Sequence, residues 1–376
     1  MSVSEKKLRT IIDKIQRYPG CEKVKYTPVI HRGFPSCFNL SFAEYEVISD
    51  FDQYLNYSHN LIFSKIQSCI RHQDWPTIIN DPKNNYRYLS SFQMADLSGM
   101  ILLTDPSLQE EIAKFAIKNL VDFIKNINLD VRKLRVSYFK GDYVKNATKE
   151  KYKFDYFIPK DPLLKYWQEL GLTEEQFIPN NTRDTLLSLR IYGLPTPWGY
   201  RNEVHYEYNN KLLDIGTVEY MKYAPIFSED NKEIINLTSF QHSVAISAIG
   251  VERILMVLDN KKNIWEIDSI YPLIKLVCKE NIPEPEAIIF AQALRAIHRV
   301  VTDGGIYSKL NKHRKEYMKI FYQYLCEILR KNQITPEKII NPVLKLNSKL
   351  QPWYPELGES IKLTENEIIA RYQARA

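Results

Sequence analysis

From Ser243 to Leu258 the chain reads Ser-Val-Ala-Ile-Ser-Ala-Ile-Gly-Val-Glu-Arg-Ile-Leu-Met-Val-Leu, and this junction narrows the possible folds more than any other stretch. Up to Ile249 the residues are small or β-branched, which suits a buried strand. Beyond it, Val251, Ile254, Leu255 and Leu258 recur at helical spacing. Gly250 is the hinge between the two. An arginine just inside such a helix, here Arg253, can be held against the strand surface while the glycine lets backbone or ligand come close. The same pattern serves plain core packing and an anion or nucleotide site.

The neighbouring sequence says what kind of sheet this strand joins. Glu203 to Tyr208, the turn residues Asn209-Asn210 and Leu212 to Tyr223 predict an antiparallel hairpin, which Ser243 to Ile249 continues. Upstream, Gln67 to Arg71 and Tyr86 to Met94 read as two strands, the first preceded by an aromatic-rich helix within 48–70. The polar connection between them carries Trp75-Pro76, Asp81-Pro82 and Asn84-Asn85. It is long for a hairpin, and loops of unusual length tend to carry function. Helices are predicted over Ser4 to Tyr18, Ser107 to Ile124 and Pro162 to Leu170, the last closed by Gly171. Leu134, Val136 and Tyr138 alternate as a strand, and Lys140 to Lys160 reads as an insertion. Beyond about residue 276 the β pattern stops. Phe290, Leu294, Ile297 and Val301 share one apolar helix face, and helical pattern resumes from Tyr317 to Leu329. The expected fold class is therefore α+β: an antiparallel sheet flanked by helices over 1–275, then an all-α domain over 276–376.

Charge and cysteine usage exclude several alternatives. The excess of 51 Lys+Arg over 45 Asp+Glu gives +6, which permits phosphate contacts without demanding them. Cys21, Cys37, Cys69, Cys278 and Cys326 are far apart, with no Cys-x-x-Cys pair, so neither a zinc site nor a disulfide framework is indicated. A charged N-terminus and the lack of any apolar run of about eighteen residues argue against secretion and against a membrane span. A cytoplasmic protein is expected.

Seven short strings then resemble, in order, those of alanyl-tRNA synthetases, a family of class II aminoacyl-tRNA synthetases. Gln67-Ser68-Cys69-Ile70-Arg71 resembles Gln-Arg-Cys-Val-Arg, and Arg87-Tyr88-Leu89-Ser90-Ser91-Phe92-Gln93-Met94 resembles Arg-His-His-Thr-Phe-Phe-Glu-Met. Thr196-Pro197-Trp198-Gly199-Tyr200-Arg201-Asn202-Glu203 stands where the family has Gly-Pro-Cys-Gly-Pro-Cys-Ser/Thr-Glu. Asp214-Ile215-Gly216-Thr217-Val218-Glu219-Tyr220-Met221 stands for Glu-Ile-Trp-Asn-Leu/Ile-Val-Phe-Met. Gly250-Val251-Glu252-Arg253 matches Gly-Leu-Glu-Arg, the third class II motif. Ala291-Gln292-Ala293-Leu294-Arg295 and Thr302-Asp303-Gly304 resemble Ala-Asp-His-Ile-Arg and Ala-Asp-Gly of the helical acceptor-stem domain. The likeness is colinear over most of the chain.

What the resemblance implies is ATP-dependent amino-acid activation, with amino acid, ATP and tRNA as partners, Mg²⁺ as cofactor and room for a homodimer. Carboxylate attack on the α-phosphate brings two anions together, and arginine suits that task because its charged planar fork bonds two phosphate oxygens at once. By resemblance Arg71 holds the α-phosphate and Arg253 lies over the adenine and the γ-phosphate, both catalytic. Phe92 takes the other adenine face, and Arg87 belongs to the same ATP site. Glu203 and Asp214 are candidates for Mg²⁺ or for orienting ATP, since that ion prefers carboxylate oxygen. Gly216, Thr217, Glu219, Ile246 and Ala248 fall at the amino-acid pocket.

Departures from the family pattern bear on the substrate. The family's Val-Asp-Thr-Gly-Met-Gly, whose aspartate binds the alanine ammonium, is replaced by Ala245-Ile246-Ser247-Ala248-Ile249-Gly250, and Ile246 cannot bind an ammonium. Its pocket Trp and Asn become Gly216 and Thr217. Glu219 lies two positions beyond Thr217 on the same strand face and is expected to replace the lost aspartate. Downstream, Lys312-His313-Arg314-Lys315 leads into an apolar run where the family has an arginine-rich string. No His-x-x-x-His with Cys-x-x-x-His editing pattern appears, so proofreading is not expected. The alternatives are a relative that passes its aminoacyl group to a non-tRNA acceptor and a non-catalytic regulatory one.

Overall fold

A computed structural model describes residues 3–17, 20–31, 61–102, 109–188, 197–230 and 233–374. The elements are, in order, α1 (Val3–Ile15), β1 (Glu22–Lys23), β2 (Leu61–Ser64), β3 (Ile66–Ile70), α2 (Trp75–Asn80), β4 (Ser91–Leu102), α3 (Gln109–Asn126) and β5 (Leu134–Phe139). Then come β6 (Asp142–Tyr143), α4 (Val144–Thr148), β7 (Phe157–Ile158), α5 (Leu164–Glu169), β8 (Phe177–Asn180) and β9 (Leu186–Ser188). The long strands β10 (Trp198–Tyr208), β11 (Lys211–Phe227) and β12 (Ile234–Gly250) follow. The remainder is helical: α6 (Val251–Leu258), α7 (Tyr271–Cys278), α8 (Glu284–Thr302), α9 (Lys312–Lys331), α10 (Pro336–Leu350), α11 (Glu356–Glu359) and α12 (Ile361–Gln373).

One sheet organises the first part, in the order β1-β2-β4-β12-β11-β10-β5-β8, with β3 paired to β4 and β9 to β10. Its long central pairs are antiparallel, and among the described residues only β1 with β2 and β5 with β8 run parallel. This is the expected α+β layout, a mostly antiparallel sheet flanked by helices and followed by a helical region. Asn209 and Asn210 both adopt left-handed backbone (φ 48° and 58°), which a tight two-residue hairpin turn requires. With only 12 glycines in the chain, the same conformation falls to Asn128, Asn260, Asn281 and Gln333 just past α3, α6, α7 and α9. Asparagine bears that geometry better than most side chains. Gly171, at φ 100°, follows α5 as its position in the sequence suggested.

Several boundaries differ from the sequence reading. The strand expected at Tyr86 to Met94 begins only at Ser91 and runs on to Leu102. Before it, Asn85 folds back, its carboxamide accepting from the Tyr88 N–H and donating to the Tyr88 carbonyl, which keeps those residues off the ladder. The polar connection contains the short helix α2, started by Pro76 in its first turn. Strand β12 starts at Ile234 rather than Ser243, and the expected insertion holds a small hairpin of β6 and β7 around α4. Of the helix expected within 48–70, residues 48–60 lie outside the described residues. Residue 276 falls inside α7, and buried residues of the sheet and of the helical region belong to one continuous core.

Helix α3 packs across the back of β4, β12 and β11, burying Ile117, Leu120, Val121 and Ile124 against Val218, Tyr220 and Ala245. On that back face Asn202 ties the sheet to α5: its carbonyl accepts from Trp167 Nε1 at 2.9 Å and its amide donates to Asp161 at 2.6 Å. All three are buried. Among the described residues Cys21, Cys69, Cys278 and Cys326 are free thiols, and no helix is long and apolar enough to cross a membrane. Asn202→Ala strands the Trp167 indole N–H and Asp161 Oδ2, while Asp161 Oδ1 keeps the Leu163 N–H, and each buried group left unpaired costs about 1–3 kcal/mol. The variant is expected to melt several degrees lower, and an unchanged melting temperature would contradict this account of the back face.

Candidate active site

A cavity of about 270 Å³ opens on the opposite face of the sheet, lined in part by Arg71, Asp74, Arg87, Phe92, Arg201, Glu203, Asp214, Thr217, Glu219 and Arg253. Strand periodicity explains the set. Arg201 and Glu203 alternate with inward-facing Asn202 on β10, while Thr217 and Glu219 alternate with Val218 on β11. Gly216 also lines the cavity, and the position admits no side chain, since a Cβ there would sit 2.6 Å from the Ala248 carbonyl oxygen. At β12 the chain leaves the sheet through Gly250 into α6, and Arg253 turns back over the opening.

The charges meet in two groups. In the first, Arg253 donates through Nη1 to the Asp214 carboxylate at 2.5 Å and to the Asp214 carbonyl at 2.9 Å. Its Nε reaches the Arg87 carbonyl at 3.4 Å. Arg71, at the end of β3, has its guanidinium 4.9 Å from the centre of the Phe92 ring. Arg87 lies 4.8 Å from the Tyr88 ring centre and donates to the Tyr88 hydroxyl. Burial raises the Asp74 carboxyl against the opposing pull of Arg71, Arg253 and Arg87. In the second group, Arg201 donates through Nε to Glu219 at 3.1 Å and through Nη1 to Glu203 at 3.2 Å.

Glu203 and Asp214 respond oppositely to this field. Burial, with the negative charges of Asp214 and Glu219, pushes the Glu203 carboxyl up to about 8 against the pull of Arg201 and Arg71. For Asp214 burial also works against ionisation, but Arg253, His205 and Arg71 outweigh it and hold the carboxyl below its ordinary value. Two carboxylates facing the same space, one resisting ionisation, form a donor set that suits a divalent cation completed by phosphate oxygens. Among the described residues no group of three His, Cys, Asp or Glu gathers as a self-sufficient metal site, and Mg²⁺ needs only one or two carboxylates beside a nucleotide.

Nine of the eleven residues singled out from the sequence therefore line one cavity: Arg71, Arg87, Phe92, Glu203, Asp214, Gly216, Thr217, Glu219 and Arg253. Ile246 and Ala248 do not line it. They stand opposite Glu219 and Thr217 across the β11–β12 ladder, on the same face of the sheet, and are fully buried beneath the cavity's lining. Sequence reasoning missed Arg201, Asp74 and Glu252 as lining residues. Arg201 was within reach, since it precedes Glu203 by one strand period. Asp74 was not, for the loop around it has no period. His298 hydrogen-bonds the Leu357 carbonyl and Asn347 in the buried helical core, a structural role.

An unfolded glutamate ionises near 4.5 and the folded Glu203 near 8, so the fold loses stability as pH rises through that window and levels off above it. Glu203→Gln cannot ionise and removes this slope. Its melting temperature relative to the unaltered chain is expected to climb by about 2 °C or more between pH 5 and pH 8. A pH-independent difference would show that Glu203 is not strained in this way.

No family model matches the chain. Among solved structures it is similar to a pyrrolysyl-tRNA synthetase of Desulfitobacterium hafniense at 10% identity and TM-score 0.34, covering 69% of this chain and 70% of that one. A second structure of pyrrolysyl-tRNA synthetase from the same organism gives 11% identity and TM-score 0.34, over 70% and 72%. A likeness of that size does not extend to residues or substrate.

Proposed function

We propose that this chain activates an amino acid with ATP, forming an aminoacyl-adenylate and pyrophosphate, and passes the aminoacyl group to tRNA in the manner of the alanyl-tRNA synthetases its motifs resemble. The observation that carries the reading is the convergence of Arg71, Arg87, Phe92 and Arg253, from three separate segments, on one cavity. Three guanidinium groups beside an aromatic ring fit a purine nucleotide better than they fit a neutral ligand.

In this reading an oxygen of the amino-acid carboxylate attacks the α-phosphorus, and the bond to the oxygen bridging the β-phosphate breaks as pyrophosphate leaves. Arg71 holds the α-phosphoryl oxygens while charge spreads over them. Phe92 and Arg253 take the two faces of the adenine, which requires Arg253 to exchange part of its Asp214 contact for the nucleotide. Glu203 and Asp214 would hold Mg²⁺, which supplies charge neutralisation on the phosphates. Glu219 receives the substrate ammonium, since Ile246 offers no charge and Glu219 reaches the cavity with Arg201 as its neighbour. That substitution leaves the amino acid open to being something other than alanine.

A second reading, transfer to a non-tRNA acceptor, gains support from one contact. Arg314, the centre of the basic run, is buried and donates to the His31 carbonyl at 2.6 Å, so it is not presented to an acceptor phosphate.

ATP–pyrophosphate exchange with each amino acid in turn, with and without bulk tRNA, tests the reaction. Exchange with one amino acid is expected, Arg71→Ala should slow it by about a hundredfold or more, and no exchange with any amino acid would reject an adenylating enzyme. Exchange without tRNA charging would select the second reading. Glu219→Gln should raise the KM for the amino acid by about tenfold while leaving that for ATP in place. An unchanged amino-acid dependence would remove Glu219 from the pocket.

A further inference from the structure

Helix α8 of the helical region reaches the floor of the cavity at two points. Gln292, fully buried, accepts from the Ser90 N–H at 3.2 Å and through its own carbonyl from the Ser90 hydroxyl at 2.8 Å. The Ser90 carbonyl in turn accepts from the Arg71 N–H at 3.0 Å. One turn along, Arg295 stands 3.6 Å from the Glu252 carboxylate, and both side chains are almost wholly buried. The other oxygen of Glu252 accepts from the Gln93 N–H at 2.9 Å. Gln93 follows Phe92, and Glu252 precedes Arg253.

This ion pair is expensive for what it does as packing. Among the described residues Arg295 Nε and Nη1 and Glu252 Oε1 have no hydrogen-bond partner. Buried pairs left incompletely satisfied are often improved by apolar residues of similar size, so such a pair is weak support for stability. What an apolar pair could not do is hold a charged carboxylate in one place, where it joins β4 to the first turn of α6.

We infer that Arg295 is a positioning residue of the nucleotide site: through Glu252 it holds the strand carrying Phe92 and the helix carrying Arg253 at a fixed separation. The inference rests on reading the cavity as an ATP site. Without the guanidinium, Glu252 is an uncompensated buried charge that must turn toward the cavity or take up a proton. Either change loosens its hold on the Gln93 N–H and shifts the two groups between which an adenine would lie. The helical region is then part of the nucleotide site rather than only a platform beside it.

Calorimetric titration of the full chain with ATP and Mg²⁺ tests this, using Arg295→Met, Arg295→Lys, Glu252→Gln and the Glu252→Gln/Arg295→Met double variant, with circular dichroism and melting of each. Arg295→Met is expected to bind ATP about tenfold more weakly while Arg295→Lys recovers to within about threefold, and in the Glu252→Gln background Arg295→Met should add less than about twofold. A folded Arg295→Met with unchanged ATP affinity overturns the inference. So does a loss that adds in full in the Glu252→Gln background, because Arg295 would then not act through Glu252. Should Arg295→Met fail to fold, Glu252→Gln decides: weaker ATP binding at unchanged melting temperature supports the role, and unaltered binding overturns it. Failure of the unaltered chain to bind ATP rejects the nucleotide reading and this inference together, whereas binding that ignores the substitutions rejects the inference alone.

Discussion

The register between β11 and β12 is the constraint on which the rest of the cavity depends. Pairing Gly216 with Ile249 and Glu219 with Ile246 sends Thr217 and Glu219 to the open face and Val218 and Tyr220 into the core. A slip of one residue would exchange the two sets, burying a carboxylate among the side chains of α3 and exposing a tyrosine. The close approach of Ala248 to Gly216 belongs to the same register, and it brings the end of β12 and the start of α6 beside Asp214. The Arg253–Asp214 contact closes the corner.

Charge compensation follows from that geometry. Four arginines and five carboxylates, counting Glu252, line the cavity, and the contacts divide them into a strongly paired Arg253–Asp214 corner and an Arg201 fork shared by Glu203 and Glu219. Such a site is poised rather than inert. A polyanion entering it finds guanidinium groups already oriented, and a cation entering beside Glu203 relieves a carboxylate that resists ionisation on its own. Preorganisation of this kind is what adenylation asks of a protein, because the reaction needs fixed charge more than it needs an acid or a base.

The helical region is continuous with this arrangement. His72, one residue beyond Arg71, stacks on Tyr317 of α9 with ring centres 3.4 Å apart, and Trp75 meets Phe321 and Tyr324 edge to face. The loop that carries Arg71 and Asp74 is thus seated on α9, while α8 supports the strand beyond it through Ser90. Aromatic contacts of this type add modestly to apolar burial, and their larger effect here is to restrict where the loop can go.

Much of this was legible in the residues themselves. Periodicity of two marked β10 and β11 and put Thr217 and Glu219 on a shared face, Asn209-Asn210 marked the turn, and the glycine before Val251-Glu252-Arg253 marked the change from strand to helix. These are local properties, written in side-chain size and spacing. What only the tertiary structure decided was which distant groups meet. Nothing near Arg253 in the chain specifies Asp214 as its partner, and nothing near Glu252 specifies Arg295. Ile246 and Ala248 have the right neighbours in the ladder and still miss the cavity. Long-range pairing depends on how sheet and helices pack as a whole, and a pattern of period two or three and a half carries no record of it.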